Sequence, residues 1–297
     1  MSLSRHGAAA TALNDSPAAD PIREFAFSAA DFQTLTQLAY EYAGIALSES
    51  KQNLVYSRLS RRLRALRLDS FADYCDYLAG DSSEMENFIN SISTNHTKFF
   101  RESHHFDHFT AHVATPFAQA AAHKSAARLR IWSAGCSSGE EPYTIALVLR
   151  HEVGDFADDD VKILATDIDT DVLTKAAQGE FAPGAVDEVP EQYRRFFQRK
   201  MNGTTTEKVR VDKQTQSLVV FRRLNLMERW PFQGLFDAIF CRNVMIYFDA
   251  PTKEKLVDRF RQQLKPGGWL YIGHSESLIG SHPGLDLIGR TTYRRVK

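Results

Sequence analysis

No apolar run in this chain of 297 residues approaches the roughly 18 residues that a membrane-spanning helix requires. The N-terminus also lacks the charged-then-apolar design of a secretory signal, so the chain reads as cytoplasmic. Cysteine is scarce: Cys75, Cys136 and Cys241 are odd in number and far apart, which excludes a disulfide framework and a zinc ribbon and leaves packed, reduced thiols. An excess of charge is absent too, the formal net charge being -1. No global field recommends nucleic acid, and electrostatic recognition has to come from a local patch. Large apolar residues run short only over residues 1–24, where Ala, Ser, Pro and Asp cannot offset the entropy of ordering; a mobile tail is expected there. Elsewhere 43% hydrophobic and 25% charged residues describe a globular chain with one large core and a smaller second domain.

What is present begins with helices. Phe32, Leu35, Leu38, Ala39 and Tyr42 fall at helical spacing after Ser28, and Gly44 stops the pattern. A second helix, Glu49 to Leu66, carries Leu54, Val55, Leu59, Leu63 and Leu66 on one side and Lys51, Arg58, Arg61, Arg62 and Arg64 on the rest, with Arg67 just beyond. No acid lies between Lys51 and Arg67. Such a face is either merely solvated or, because it has no i,i+4 carboxylate to relieve self-repulsion, made for an acidic partner. Two further helices follow, marked by Phe71, Tyr74, Tyr77 and Leu78 and by Met85, Phe88, Ile89 and Ile92.

Residues 93–110 join this helical part to the α/β part and interleave Asn95, Thr97 and Arg101 with Phe99 and Phe100. His104 and His108 share a helix face, but Glu102 and Asp107 are not expected on it, and no metal site is assigned.

From Leu129 strands and helices alternate as a parallel sheet requires. The strands expected are Leu129 to Ser133, Lys162 to Thr166, Phe236 to Cys241 and Trp269 to Gly273, with a helix from Thr252 to Leu264 stopped by Lys265-Pro266-Gly267-Gly268. Residues 181–222 interrupt the alternation with a short helix, Glu191 to Phe197, and two strands, Lys208 to Asp212 and Ser217 to Phe221, read as a hairpin in an inserted subdomain. The first strand runs into Gly135-Cys136-Ser137-Ser138-Gly139 and then a helix. That bend exposes bare backbone to a ligand, and it also spells G-x-S-x-G, the nucleophile elbow of serine hydrolases. The second strand ends in Asp167-Ile168-Asp169-Thr170-Asp171. Val172 and Gln178 stand where a calcium loop needs Gly and Glu, so calcium is rejected, and Asp167 instead suits a ribose, whose two hydroxyls both donate to one carboxylate.

With these pieces assembled, the chain resembles the chemotaxis receptor methyltransferases, the CheR family. The matching stretches are Val55 to Leu59 with Arg61 to Arg64, Thr94-Asn95 with Thr97, Phe99 to Glu102, Gly139 to Tyr143, Ala165 to Asp169, Phe236 to Asp249, and Gly273-His274-Ser275-Glu276. The resemblance implies a Rossmann-like α/β methyltransferase domain over residues 111–297 with an inserted antiparallel β subdomain at 181–222. It also implies a small N-terminal all-α receptor-recognition domain at 25–92 and a linker at 93–110 that contributes to the cofactor site. It implies transfer of a methyl group from S-adenosylmethionine to glutamate side chains on receptor signalling helices, with S-adenosylhomocysteine as product. Asn95, Thr97, Arg101, Glu141, Asp167, Asn225, Leu226, Arg242 and Asn243 are implied to line the cofactor site, and Arg101 and Tyr247 to lie nearest the reacting methyl.

The basic face, Arg58, Arg61, Arg62 and Arg64, would then meet the receptor. The protein is expected to be a monomer recruited to receptor arrays, in some members through a receptor's C-terminal peptide, without inserting into the membrane or binding nucleic acid. Two other readings remain at this point. One is a serine hydrolase using Ser137, Asp249 and His274, whose chain order matches; the other is a receptor-docking scaffold that binds cofactor and transfers nothing.

Overall fold

The computed structural model describes residues 23–296 other than 124–126, 155–159, 204, 277 and 279–281. All but the last two residues of the tail expected at 1–24 lie outside this set.

Helix α1 (Ala29–Ala43) starts where the Ser28 hydroxyl accepts from the Asp31 amide and the Asp31 carboxylate accepts from the Ser28 amide, a reciprocal cap that satisfies two otherwise orphaned donors. It packs with α2 (Gln52–Leu66), α3 (Phe71–Gly80) and α4 (Ser82–Ile92) around Leu35, Leu59, Leu63, Phe71, Tyr74 and Phe88, all fully buried. Burying each such side chain stabilises by roughly 1.5–3 kcal/mol, enough in sum to hold four short helices that would be marginal alone.

The basic face of α2 is not the unpaired surface expected from its sequence. Arg62 donates to both oxygens of Glu84, at 2.8 and 2.5 Å, and Glu84 is buried beneath it and also accepts from the Tyr74 hydroxyl. Arg64 pairs with Glu24 across an exposed surface. Arg58 caps the end of α4, donating to the carbonyls of Ile92 and Ser93 at 2.6 and 2.8 Å. The missing carboxylates stand 22 and 40 residues away in sequence, where helical spacing does not reveal them.

After α5 (His104–Phe109), a π turn over Thr110–Ala114 and α6 (Thr115–His123), the chain enters its main sheet. The order there is β6-β2-β1-β7-β8-β10-β9: β1 (Arg128–Ala134), β2 (Asp160–Asp167), β6 (Val219–Arg223), β7 (Phe236–Cys241) and β8 (Leu264–Ile272) run parallel, and β9 (Leu285–Gly289) and β10 (Thr292–Arg295) close one edge as an antiparallel pair. Parallel strands are buried on both faces, and the C-terminal halves of β1 and β7, residues 131–134 and 238–241, are accordingly buried at every position. Ile131, Ala238 and Phe240 enter the core beneath α7 (Glu140–Val153). Trp132, Ile239 and Cys241 enter the other core, beneath α11 (Ala250–Gln263). The winding reverses between β1 and β7, and the C-terminal ends of strands at such a switch point frame a crevice.

Two expectations on β structure are corrected. Ser217 to Phe221 does not form a hairpin with Lys208 to Asp212. A short helix, α10 (Lys213–Ser217), intervenes, and Val219–Arg223 joins the main sheet parallel to β2. The hairpin is instead β4 (Phe197–Asn202) with β5 (Thr205–Val211), on which β3 (Glu180–Phe181) adds a third strand. The turn at Asn202-Gly203, not the polar stretch at 212–217, reverses the chain. Lys265-Pro266-Gly267-Gly268 follows α11 as expected but forms a bulged start to β8, since Phe236 pairs with Leu264 and Ala238 with Trp269.

The three-stranded sheet grips the linker between the domains through aromatic rings. Phe99 meets Phe181 and Phe197 edge-on at 4.8 and 5.4 Å, and Phe100 stacks on Tyr193 at 4.8 Å.

Arg62→Ala leaves the buried Glu84 carboxylate without its cation, and is expected to destabilise the protein by about 2–3 kcal/mol, below the range for a fully buried pair because Arg62 is partly exposed. The exposed neighbour replaced as Arg61→Ala should change stability by less than about 0.5 kcal/mol in the same urea titration. Equal midpoints for the two variants would refute the pairing.

Candidate functional site

The bend after β1 is held open by its backbone. Gly135 and Cys136 both donate to the Thr166 carbonyl, at 2.8 and 2.9 Å, while Gly135, Ser137 and Gly139 all take positive φ. A Cβ on Gly135 would stand 2.2 Å from Cγ2 of Val244, so nothing larger fits between the bend and the segment after β7. Asp167, at the end of β2, accepts from the Ser137 amide at 2.8 Å and from the Asp169 amide at 3.0 Å. Burial pushes the Asp167 carboxyl up to about 6, against those two amides.

Asn95 ties the linker to the ends of β1 and β2. Its amide donates to the Asp169 carboxylate at 2.7 Å, and its carbonyl accepts from the Ser137 hydroxyl at 3.1 Å.

Behind the bend lies a buried guanidinium. Arg242 follows β7 and donates to Glu141 on α7 at 3.0 Å; its other nitrogen contacts the carbonyl of Arg101 and stands 3.4 Å from Glu102. Glu141 also accepts from the Ser133 hydroxyl at 2.7 Å. The two acids respond differently to their shared cation. Burial dominates at Glu141 and raises its pKa despite Arg242. At Glu102, which is less buried, the pull of Arg242 with the His274 amide and the Asn243 side chain outweighs burial, and the pKa is lowered.

Four strand ends, the linker and the helical domain together frame a cavity of about 420 Å³. Asn95, Thr97, Arg101, Glu141, Asp167, Asn225, Leu226, Arg242, Asn243 and Tyr247 all line it, although they come from stretches as much as 152 residues apart, the separation of Asn95 and Tyr247. The helical domain supplies the opposite wall, from Ile45 to Ser48 with Lys51 and Leu54. Bonds that hold it there include the Ala46 amide donating to the Tyr247 carbonyl at 2.8 Å, the Asn225 side chain to the Tyr42 carbonyl at 2.6 Å, the Tyr40 hydroxyl to Asp249 at 2.8 Å, and Arg223 to the Tyr42 hydroxyl at 2.6 Å and to Glu86 at 3.1 Å; the Tyr247 hydroxyl donates to the Thr94 carbonyl of the linker at 3.3 Å. Arg101 is oriented by the His96 carbonyl at 2.7 Å. The four arginines assigned to a partner, Arg58, Arg61, Arg62 and Arg64, lie outside the cavity.

The elbow reading finds no support in this geometry. The Ser137 hydroxyl is given to a main-chain carbonyl rather than to an imidazole, Asp249 caps α11 through the Thr252 amide, and the exposed His274 offers its main-chain amide to Glu102. Cys136 and Cys241 are buried thiols whose pKa values burial pushes well above normal.

His108 stacks on His112 and bonds the Tyr271 hydroxyl. Glu102, left off the histidine face in the sequence reading, in fact comes together with His104 and His105, one donor atom of each lying within 4.8 Å of the others. The Glu102 oxygens are already engaged by Arg242, Asn243 and the His274 amide.

Sequence reasoning passed over the parts played by Glu102, Ser133, Asp169 and Glu276. Glu276 is buried and accepts from three main-chain amides around the segment after β7. Its signal was an acid directly after an apolar strand end, a position where an unpartnered charge is costly.

Residues 30–93 match the family model described as CheR methyltransferase, all-alpha domain, and residues 95–293 the model described as CheR methyltransferase, SAM binding domain. The chain is 44% identical over 272 residues to chemotaxis protein methyltransferase 2 of Pseudomonas aeruginosa, covering 91% of this chain and 95% of that protein. It is 44% identical over 260 residues to a probable chemotaxis protein methyltransferase of Rhizobium etli, covering 86% and 96%. With the chemotaxis protein methyltransferase of Salmonella typhimurium it shares 42% identity over 275 residues, covering 91% and 92%.

Gly135→Ala forces a Cβ against Val244 in a backbone region where L-residues are strained. It is expected to weaken binding of S-adenosylhomocysteine by roughly tenfold or more in calorimetry. An affinity within about twofold of the unaltered protein would show that the bend does not border the ligand.

Proposed function

The chain belongs to the CheR methyltransferase family, binds S-adenosylmethionine and acts in chemotaxis, and from that premise we propose that it esterifies glutamate side chains on the cytoplasmic helices of chemoreceptors. The observation that carries this reading is the convergence of ten separated residues on one cavity between the helical domain and the switch point of the sheet.

The residues present fit the cofactor. Asp167 stands buried at the wall with its pKa raised, a carboxylate suited to two ribose hydroxyls. The bare backbone of Gly135 allows close approach, and Glu141 offers a negative counterpart to a cationic ligand group. When bound, the cofactor supplies an electrophilic methyl group on a sulfonium sulfur. The acceptor glutamate, with a reference pKa of about 4.3, is already ionised near neutral pH and needs no general base.

What the chain must supply is alignment and exclusion of water. Tyr247 and Arg101 both line the cavity, each bonded to a linker carbonyl, and their chemistry suits them to orient a carboxylate by hydrogen bonds, charge-assisted ones from Arg101.

Receptor recognition falls to a revised set of cations. Arg58 and Arg62 are engaged inside the helical domain, whereas Arg61 is exposed, Lys51 lies at the cavity wall, and Arg64 is held only by an exposed pair of little worth. Methylation removes the charge that such a surface attracts, so product leaves more readily than substrate.

Transfer of labelled methyl from S-adenosylmethionine to receptor cytoplasmic fragments tests the reaction, and base-labile label on glutamate is the expected result. Absence of transfer to any receptor from the same cell would sink it. Arg61→Glu is expected to lower kcat/KM for receptor by roughly tenfold with unchanged affinity for S-adenosylhomocysteine, since only a surface charge is reversed.

The Asp167 assignment has its own test. Its carboxyl is ionised above about 6 and protonated below, and only the ionised form accepts from two hydroxyls. Affinity for S-adenosylhomocysteine should therefore fall as pH is lowered from 7 to 5, by roughly tenfold at the lower end, and Asp167→Asn should flatten the profile. A flat profile in the unaltered protein would remove Asp167 from that role.

A further inference from the structure

We propose that Glu276 is a positioning residue that sets the segment from Arg242 to Tyr247 in its working shape, one carboxylate oxygen serving the cofactor end and the other the acceptor end. The inference rests on the reaction proposed above.

The segment needs an external hold. Asn243 adopts φ of 59°, a left-handed conformation that asparagine tolerates better than other non-glycine residues but still at some cost. Two residues later the chain begins one turn of 3-10 helix, Met245–Tyr247, too short to persist alone.

Both features end on Glu276. Its Oε2 accepts from the Asn243 amide at 2.7 Å and from the Gly273 amide at 2.7 Å, and its Oε1 accepts from the Ile246 amide at 3.0 Å. One carboxylate thus reverses the chain at Asn243, starts the turn that presents Tyr247, and fastens both to the end of β8. Burial raises the Glu276 pKa, and the three amides work against that rise. The fit is close: a Cβ on Gly273 would stand 2.6 Å from Oε2 and 2.7 Å from the Asn243 side-chain nitrogen. Glu276 does not line the cavity, so it acts through the residues that do.

The split between the two oxygens makes a specific test. A Gln side chain that places its carbonyl oxygen at the Oε2 position keeps the bonds from Asn243 and Gly273, but turns an NH2 group toward the Ile246 amide, where no bond forms. An Ala side chain keeps neither. We would measure affinity for S-adenosylhomocysteine by calorimetry, kcat and KM for methylation of a receptor fragment, and thermal midpoint, for the unaltered protein, Glu276→Gln and Glu276→Ala.

Glu276→Gln is expected to keep product affinity within about threefold while losing roughly tenfold or more in kcat, and Glu276→Ala to lose roughly tenfold or more in both. Equal losses of affinity and kcat within each variant would reduce Glu276 to a fold-holding residue, and unaltered kcat in both would overturn the proposal outright. Should Glu276→Ala fail to fold, the Gln variant alone still divides these outcomes. If the unaltered protein binds the product yet methylates no receptor, the proposed reaction is what fails. The two variants' affinities, retained in one and lost in the other, then decide the role of Glu276 separately.

Discussion

The structure depends on one buried guanidinium. Arg242 sits between Glu141 in the first turn of α7, Glu102 within the linker, and the carbonyl of Arg101, with its side chain almost wholly removed from water. Glu141 and Glu102 would repel one another across this gap, and a lone Arg would carry an uncompensated charge into the core. Together they hold three separate stretches at one point. Breaking such a cluster by removing one partner costs about 3–5 kcal/mol, so the arrangement is rigid for as long as the protein is folded. The cavity can therefore be assembled from parts of the chain that have no local contact with one another.

That rigidity contrasts with the latch of the helical domain. The bonds across it are individually modest: Ala46 to Tyr247, Asn225 to Tyr42, Tyr40 to Asp249, Asn90 to Thr170, and Arg223 to Tyr42 and Glu86. Each contributes about 1 kcal/mol net. Between the two domains the linker is held by aromatic rings, Phe99 against Phe181 and Phe197 of the three-stranded sheet and Phe100 against Tyr193 of the short helix before β4.

Misread elements share a cause. Ser217 to Phe221 has the β-branched and aromatic character of a strand, and a strand it is, but its partner is β2, more than 50 residues earlier, and not the neighbouring run. Lys265 to Gly268 has the composition of a stop, yet β7 offers unpaired ladder groups beside it and the chain is drawn into the sheet as a bulge. The basic face of α2 appeared unpaired because helical spacing finds only i,i+3 and i,i+4 partners, whereas Glu84 and Glu24 arrive through the tertiary fold. Glu102 lies off the face shared by His104 and His108, and it meets His105 instead, from a turn in which its own φ is positive.

By itself the sequence determined the alternation of strands and helices, the small-residue bend, the acid at the end of the second strand and the ordered motifs that mark the family, since each is a local pattern of residue size, polarity and spacing. The cavity was legible only as a list of positions. Tertiary structure decided which acids neutralise which cations, where the inserted strands pair, and how Glu276 shapes the segment carrying Tyr247. Those outcomes turn on distances between residues remote in sequence, and burial, which makes an unpaired charge or amide costly, selects among partners that no local pattern can rank.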